Sequence, residues 1–489
     1  MRTIKNLLYN TIYQLFAILI PLITSPYISR ILGAENLGTY LYTQTIAGYF
    51  GLFATLGIFN YGSRYISGVR NSDIEINRIF KEIVALQIFL SLILAINYII
   101  FIVLISSNKM LLSIQLLYYL SIALDISWFY IGKEEFKAII IRNIFIKIII
   151  IICIFLFVHK KEDLLIYTLI MSLGSFSGQL ILWINLKEKF KIKNINKKNI
   201  MHHLKSSLLL FIPIISINIY KLFDKLMLGY TLSNKYVAYY SNAEKFGTIA
   251  VGFIIAVNNV IFPKISYLIY NKQEKKANII LYFSIRIITI LSIAMTFALA
   301  GCSIELAPVF YGNEFIVSGS LMHFLSPIII MISINHTLTQ LYFIPNNKEK
   351  IYSCFEVIGS IVNIILNFVL IPRIHVYGAL ISILFTEFLI MTMMTIVVNK
   401  EISFINIYIK TIPYIMTGIL MYLSMRLIGG NYGISIKTII LQIIAGGIVF
   451  LVGTLVILFF IDKELKKFIN DFLIMMNERR KLQKYVTSN

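Results

Sequence analysis

The sequence predicts an all-α, polytopic membrane protein, with about fourteen transmembrane helices in two pseudo-symmetric six-helix lobes plus a C-terminal helix pair. Three observations predict it. The chain is 58% hydrophobic and 14% charged, with a mean hydropathy of +0.82; soluble domains run at about 45–50% apolar and about 25% charged. Apolar runs of spanning length recur from end to end. Basic residues gather in alternate connections, which is the charge asymmetry of a multi-pass protein. The formal charge of +21 therefore belongs to cytosolic loops. No basic stretch has a soluble fold around it, so nucleic acid is not an expected partner.

A spanning helix takes about 20 mostly apolar residues. Such segments fall at 7–32, 37–60, 83–106, 111–131, 139–158, 163–185, 206–231, 236–262, 279–303, 316–343, 351–371, 377–398, 405–427 and 436–461. The first holds Pro21 and Pro26 and lacks an A-x-A site, so it reads as a retained helix. The fifth is interrupted by Arg142 and Lys147, and the ninth by Arg286. With the N-terminus inside, the inner connections hold Arg64, Arg70, Arg78 and Lys81, then the lysines of "LKEKFKIKNINKKNIMHH", then Lys264, Lys272, Lys275 and Lys276. The outer connections are much poorer in basic residues, so both termini are expected in the cytoplasm. The organisation read from this is an N-terminal lobe at 1–185, a basic linker at 186–204, a C-terminal lobe at 205–399, a helix pair at 400–462 and a basic tail at 463–489. The tail mixes Phe468, Phe472, Leu473 and Met476 with lysines and arginines. It suits an amphipathic helix on the inner leaflet or a solvated helical tail.

Several chemistries find no motif. The three cysteines form no CxxC, the six histidines form no HExxH, and there is no GxxxxGK[ST]. No catalytic residue, metal or cofactor is expected.

The halves repeat. "PLITSPYISRILG" in the first helix corresponds to "PIISINIYKLFDKLMLG" in the seventh, pairing Pro21 with Pro213, Arg30 with Lys225, Leu32-Gly33 with Leu228-Gly229, and Tyr40 with Tyr240. Matched Pro/Gly interruptions in two halves point to a transporter site between them; the competing reading is two hydrophobic hairpins sharing common residues.

Charges inside apolar runs mark the candidate site. Lys221, Asp224 and Lys225 interrupt the seventh helix; Glu244 and Lys245 interrupt the eighth. Lys221 and Lys245 are equally far from the hairpin near residue 233, at about 12–15 Å from the outer surface, close to the midplane of a core about 30 Å thick. Such charges must face a bundle interior or a watery cavity. Lys221 and Asp224 share a helix face, and Lys245 is a second partner for Asp224. Three lysines against two acids leave a positive excess that suits an anionic substrate. A purely structural network, with Lys225 snorkelling outward, is the rival reading. Asp125 with Arg142 or Lys147 reads as a structural ion pair. Arg286, Glu356 and Glu387 show no partner in sequence, and His323 and His336 read as satisfied helix residues.

Three stretches resemble bacterial polysaccharide flippases of the Wzx type. They are "LITSPYISRILGAENLGTYLYTQTIAGYFGLFATLGIFNYGSRYIS", "ALDISWFYIGKEEFKAIIIRN", and the second-half segments "FDKLMLGYTLSNKYVAYYSNAEK" and "IPNNKEKIYSCFEVIGSIVNIILNFVLIP" with "YGALISILFTE". The resemblance implies translocation of undecaprenyl-pyrophosphate-linked oligosaccharides across the bacterial cytoplasmic membrane, within the multidrug/oligosaccharidyl-lipid/polysaccharide exporter superfamily. It implies two six-helix lobes in a V around a central cationic cavity, alternating between inward- and outward-open states. It also makes Arg30 and Arg64 candidates for the cavity's two mouths; ordinary interfacial arginines are the alternative. Implied partners are lipid-linked oligosaccharide, membrane lipids, and a polysaccharide polymerase with other export machinery. Coupling to a proton or sodium gradient or to the membrane potential is expected. The turn "IPRIHVYG" departs from the family pattern at Arg373 and His375.

Two other readings compete. A drug exporter of the same superfamily would favour acids over lysines in its cavity. A membrane polymerase or glycosyltransferase would need positioned acids and room outside; the longest outer loop, "SIELAPVFYGNEFIVSG", offers only Glu305 and Glu314.

Overall fold

In the computed structural model, residues 2–104, 107–186 and 197–471 are described, and among them there is helix and no strand. The helices are α1 (Arg2–Thr55), α2 (Ile58–Gly68), α3 (Asp73–Leu104), α4 (Lys109–Ala123), α5 (Ser127–Gly132), α6 (Phe136–Phe157), α7 (Leu164–Ile184) and α8 (Lys197–Thr231). They continue with α9 (Asn234–Tyr270), α10 (Glu274–Tyr311), α11 (Ile316–Leu325), α12 (Ile328–Leu338), α13 (Glu349–Ile374), α14 (Val376–Val398), α15 (Phe404–Tyr432) and α16 (Ile436–Val456). Among the described residues ten helices are long and apolar enough to cross a membrane, or eleven if the bent pair Asn313–Leu325 and Ile328–Phe343 is one span. The protein is thus multi-pass, but the expected count of about fourteen is not reached by this measure. Two expected segments lie in α1, which runs through a break at Gly33 (φ 74°, ψ 176°), a conformation glycine takes without strain. Another expected segment lies in α8, which carries Lys221, Asp224 and Lys225.

The chain forms two compact units, Met1–Asn242 with Glu356–Ile383, and Ala243–Phe355 with Leu384–Asn489. In the first, the "SWFY" motif is a structural plug. Ser127, Trp128, Phe129 and Tyr130 are all buried on α5. Trp128 stacks on Phe80 of α3 at 5.5 Å between ring centroids, and its indole N–H donates to Gln87 at 3.2 Å. Helix α8, placed by sequence at the head of the second lobe, packs within this unit against α1, α2 and α3. Gly57 allows the approach: it is left-handed at φ 76°, and a Cβ there would stand 2.8 Å from the Ser207 carbonyl oxygen. The repeat is uneven in structure. Tyr40 and Tyr240 are both buried, but Gly33 breaks its helix whereas Gly229 stays helical, against the Tyr42 ring.

The second unit answers where the isolated charges go. Arg286 on α10 is fully buried, pairing with Asp462 and, at 3.4 Å, with Glu464 just beyond α16. Lys410 also pairs with Glu464, and the Tyr414 hydroxyl donates to Asp462 at 3.1 Å. Glu305, read from sequence as lying in an outer loop, is buried on α10 and holds Arg426 of α15 at 2.7 Å and Gln442 of α16 at 3.1 Å. Glu387 accepts from Asn335 at 2.9 Å. His323 meets the Ala300 carbonyl at 3.0 Å and His336 meets Asn258 at 3.2 Å, as satisfied helix residues do. Of the tail, residues 463–471 are helical, with Phe468 stacked on Phe283 at 4.0 Å. The expectations for Phe472, Leu473 and Met476, and for most of the basic linker, lie outside the described residues.

Candidate functional site

Asp224 is the centre of a buried polar group on α8. It is 0% exposed. Its carboxylate accepts from the Tyr240 hydroxyl at 2.7 Å and from the side-chain amide of Asn367. Asn367 also donates to Asn363 at 2.9 Å. These two asparagines are one turn apart on α13, so both amides project from one face. A carboxylate among apolar helices is costly unless it is hydrogen-bonded, and here α9 and α13 supply partners. A group so placed can hold a proton or counter an ammonium. Close by in the chain, Asn234 donates to Thr39 at 2.9 Å and Asn242 to Ser29 at 3.2 Å, joining the start of α9 to α1. A cavity of 330 Å³ between α1 and α8 is lined by Tyr42, Tyr49, Phe223 and Tyr230.

A second buried cluster lies at the arginine- and lysine-rich ends of α2 and α3. Glu82 on α3 accepts from Asn199 at 2.7 Å and bonds His203 at 3.0 Å, both on α8. The other ring nitrogen of His203 meets the Tyr61 hydroxyl of α2 at 2.7 Å. Glu82 and His203 are 5% and 3% exposed. Beside them is a cavity of 510 Å³ lined by Tyr61, Arg64, Tyr65 and Ser206. Reading the sequence missed this cluster. His203 falls within the stretch read as the basic linker, and residues 121 apart leave no local signature of their pairing.

Arg30 is exposed near Gly33, and Arg64 is exposed at the second cavity. Lys225 is half-buried, one residue from Asp224. Lys221 is on α8, and its side chain lies outside the described residues. Glu244 and Lys245 fall in the second compact unit, each half-buried. Asp125, expected to pair with Arg142 or Lys147, accepts from the backbone N–H of Ser127 at 2.8 Å and from its hydroxyl. Its structural task is thus a hydrogen-bonded turn at the start of α5. Arg142 lies instead along the α6/α7 seam, with Nη1 3.2 Å from where a Cβ on Gly178 would stand. Lys147 is half-buried on α6.

Residues 3–269 match the family of polysaccharide biosynthesis proteins. A Shigella dysenteriae protein, named as a candidate O-antigen transporter, is 27% identical over 394 residues, which are 80% of this chain and 98% of its own. An Escherichia coli (strain K12) protein of the same name is 25% identical over 411 residues, covering 81% of this chain and 97% of its own. Among solved structures, the lipid II flippase MurJ in an inward-closed conformation is similar with a TM-score of 0.78 at 17% identity, over 92% of this chain and 98% of that one. An inward-facing multidrug resistance MATE family transporter of the MOP superfamily has a TM-score of 0.61 at 11% identity, over 85% of this chain and 99% of that one. These structures share its fold.

Proposed function

Because the chain belongs to the polysaccharide biosynthesis protein family, we propose that it is a flippase that carries undecaprenyl-pyrophosphate-linked oligosaccharide repeat units across the bacterial cytoplasmic membrane for surface polysaccharide export. The observation that carries this reading is the polar centre on α8, where Asp224 is fully buried and hydrogen-bonded among apolar helices. A membrane protein tolerates such a group where a pathway needs it. The names of the relatives, O-antigen transporter and lipid II flippase, support a lipid-linked sugar as cargo. They also support transport, not catalysis, as the activity.

Lys221, Lys225 and Lys245 attract the pyrophosphate of the cargo, and Asp224 and Glu244 temper them so that release follows; a transport site must bind weakly enough to let go. Access alternates between the two faces of the membrane, with Arg30 and Arg64 near the entrances. Both termini are cytoplasmic, and an ion gradient or the membrane potential drives the cycle. A drug exporter on the same fold is the second reading; the lysine excess favours anionic cargo.

The test is glycan export, normalised to protein in the membrane. Lys221→Ala and Lys245→Ala each remove a charge-assisted contact, expected to weaken cargo binding by about 1–3 kcal/mol. Lys245→Arg is expected to keep more activity than Lys245→Ala, since the charge remains. Full export by the two alanine variants, singly and combined, would contradict the cationic site.

A further inference from the structure

The second unit carries a groove that the transport reading does not use. It is a cavity of 620 Å³ formed by α9, α10 and the start of the tail. Its walls are apolar except for Lys264, Lys276 and Ser284. Val260 and Ile279 on its walls are 79% and 54% exposed, so the groove opens sideways to the surroundings of the helices.

Its polar and apolar parts are ordered along the membrane normal. The α9/α10 connection at residues 271–273 contains Lys272 and is followed by Lys275 and Lys276, the signature of a cytosolic loop. Lys276 stands in the first turn of α10, and Lys264 is an exposed residue near the end of α9. From Lys276 the groove climbs α10 as far as Ile288, twelve residues or about 18 Å at 1.5 Å per residue. Half of a hydrocarbon core about 30 Å thick is about 15 Å. The groove is therefore about one leaflet deep, with Lys276 at the headgroup end, Lys264 one turn above Leu268 on α9, and apolar walls beyond them.

The wall facing the tail is held in place. Phe468 lines the groove and stacks on Phe283, and the segment before it is tied to α10 by Arg286 with Asp462 and Glu464. A loose tail would leave the groove without this side.

We propose that this groove binds an anionic phospholipid of the inner leaflet, with an acyl chain along α9 and α10 and the phosphate between Lys264 and Lys276. A single-leaflet depth fits an acyl chain, whereas a polyprenyl chain long enough to cross the midplane would overrun it. Basic residues at the cytoplasmic surface attract anionic lipid, and the groove supplies the stereochemical fit that a bare basic loop lacks.

The test is lipid retention by the full-length protein. The protein is purified from detergent containing equal phosphatidylglycerol and phosphatidylethanolamine, and bound lipid is counted by native mass spectrometry. Wild type is expected to retain phosphatidylglycerol in preference. Lys264→Gln/Lys276→Gln should lower that retention by about tenfold, given the contribution of each lysine near a membrane surface. Val260→Trp, at an exposed wall position, should lower it with both lysines intact. Three outcomes overturn the proposal: equal retention of both lipids by wild type, unchanged retention by both variants, or displacement of phosphatidylglycerol by undecaprenyl phosphate at equal concentration, which would make the groove a cargo site. Retention is read without transport, so the result stands apart from the flippase reading.

Discussion

Glu82→Ala is expected to lower the stability of the purified protein by about 2–4 kcal/mol. The range combines the worth of hydrogen bonds to a charged group, about 1.5–3 kcal/mol, with the cost of leaving a buried donor unpaired, about 1–3 kcal/mol. The substitution strands Asn199 and His203 in a buried setting and loosens α8 from α3. His203→Ala should cost less, because Glu82 keeps Asn199. The double variant should recover part of the summed loss, since both single changes break one shared contact. Thermal unfolding in detergent reads all three. A Glu82→Ala protein that unfolds at the wild-type temperature would show that the cluster does not fasten α8.

Asp224→Ala is expected to lower stability by about 2 kcal/mol, as interhelical hydrogen bonds in membranes run to about 1–2 kcal/mol each and two donors lose their acceptor. Export should fall further than the loss of folded protein accounts for. Asp224→Asn separates the two effects. It keeps the size and an acceptor for Tyr240, so stability should be partly restored, while export should stay low if the charge matters. Wild-type export by Asp224→Asn would reduce the centre to a structural hydrogen bond.

Much of this architecture is legible because membranes impose strong rules. A helix in lipid must be long and apolar, so its span is written in the sequence, and a charge inside such a span stands out. Asp224 stands out in the sequence for that reason, and the repeat pairs Tyr240 with Tyr40. Partner choice is another matter. Arg286 finds Asp462 and Glu464 far along the chain, and Glu305 finds Arg426 and Gln442; such pairings follow from helix packing, which no local pattern encodes. Asp125 misled for a related reason. Charges at similar depth on neighbouring helices suggested an ion pair, but Ser127, two residues away, takes the carboxylate first. Short-range side-chain to backbone bonds of this kind compete with long-range pairs. The packing of α8 is likewise set by distant contacts: Gly57 admits it beside α2, and the Glu82–His203 contact ties it to α3.

The central claim is movement of a lipid-linked sugar between leaflets. The most direct measurement is reconstitution into vesicles carrying a defined undecaprenyl-pyrophosphate-linked oligosaccharide, with a membrane-impermeant glycan-binding probe reporting the outer leaflet over time. The account predicts that glycan initially confined to the inner leaflet becomes accessible in vesicles with wild-type protein, and does so more slowly with Lys221→Ala/Lys245→Ala. Glycan that stays inaccessible with folded wild-type protein present, with and without an imposed ion gradient, would contradict it.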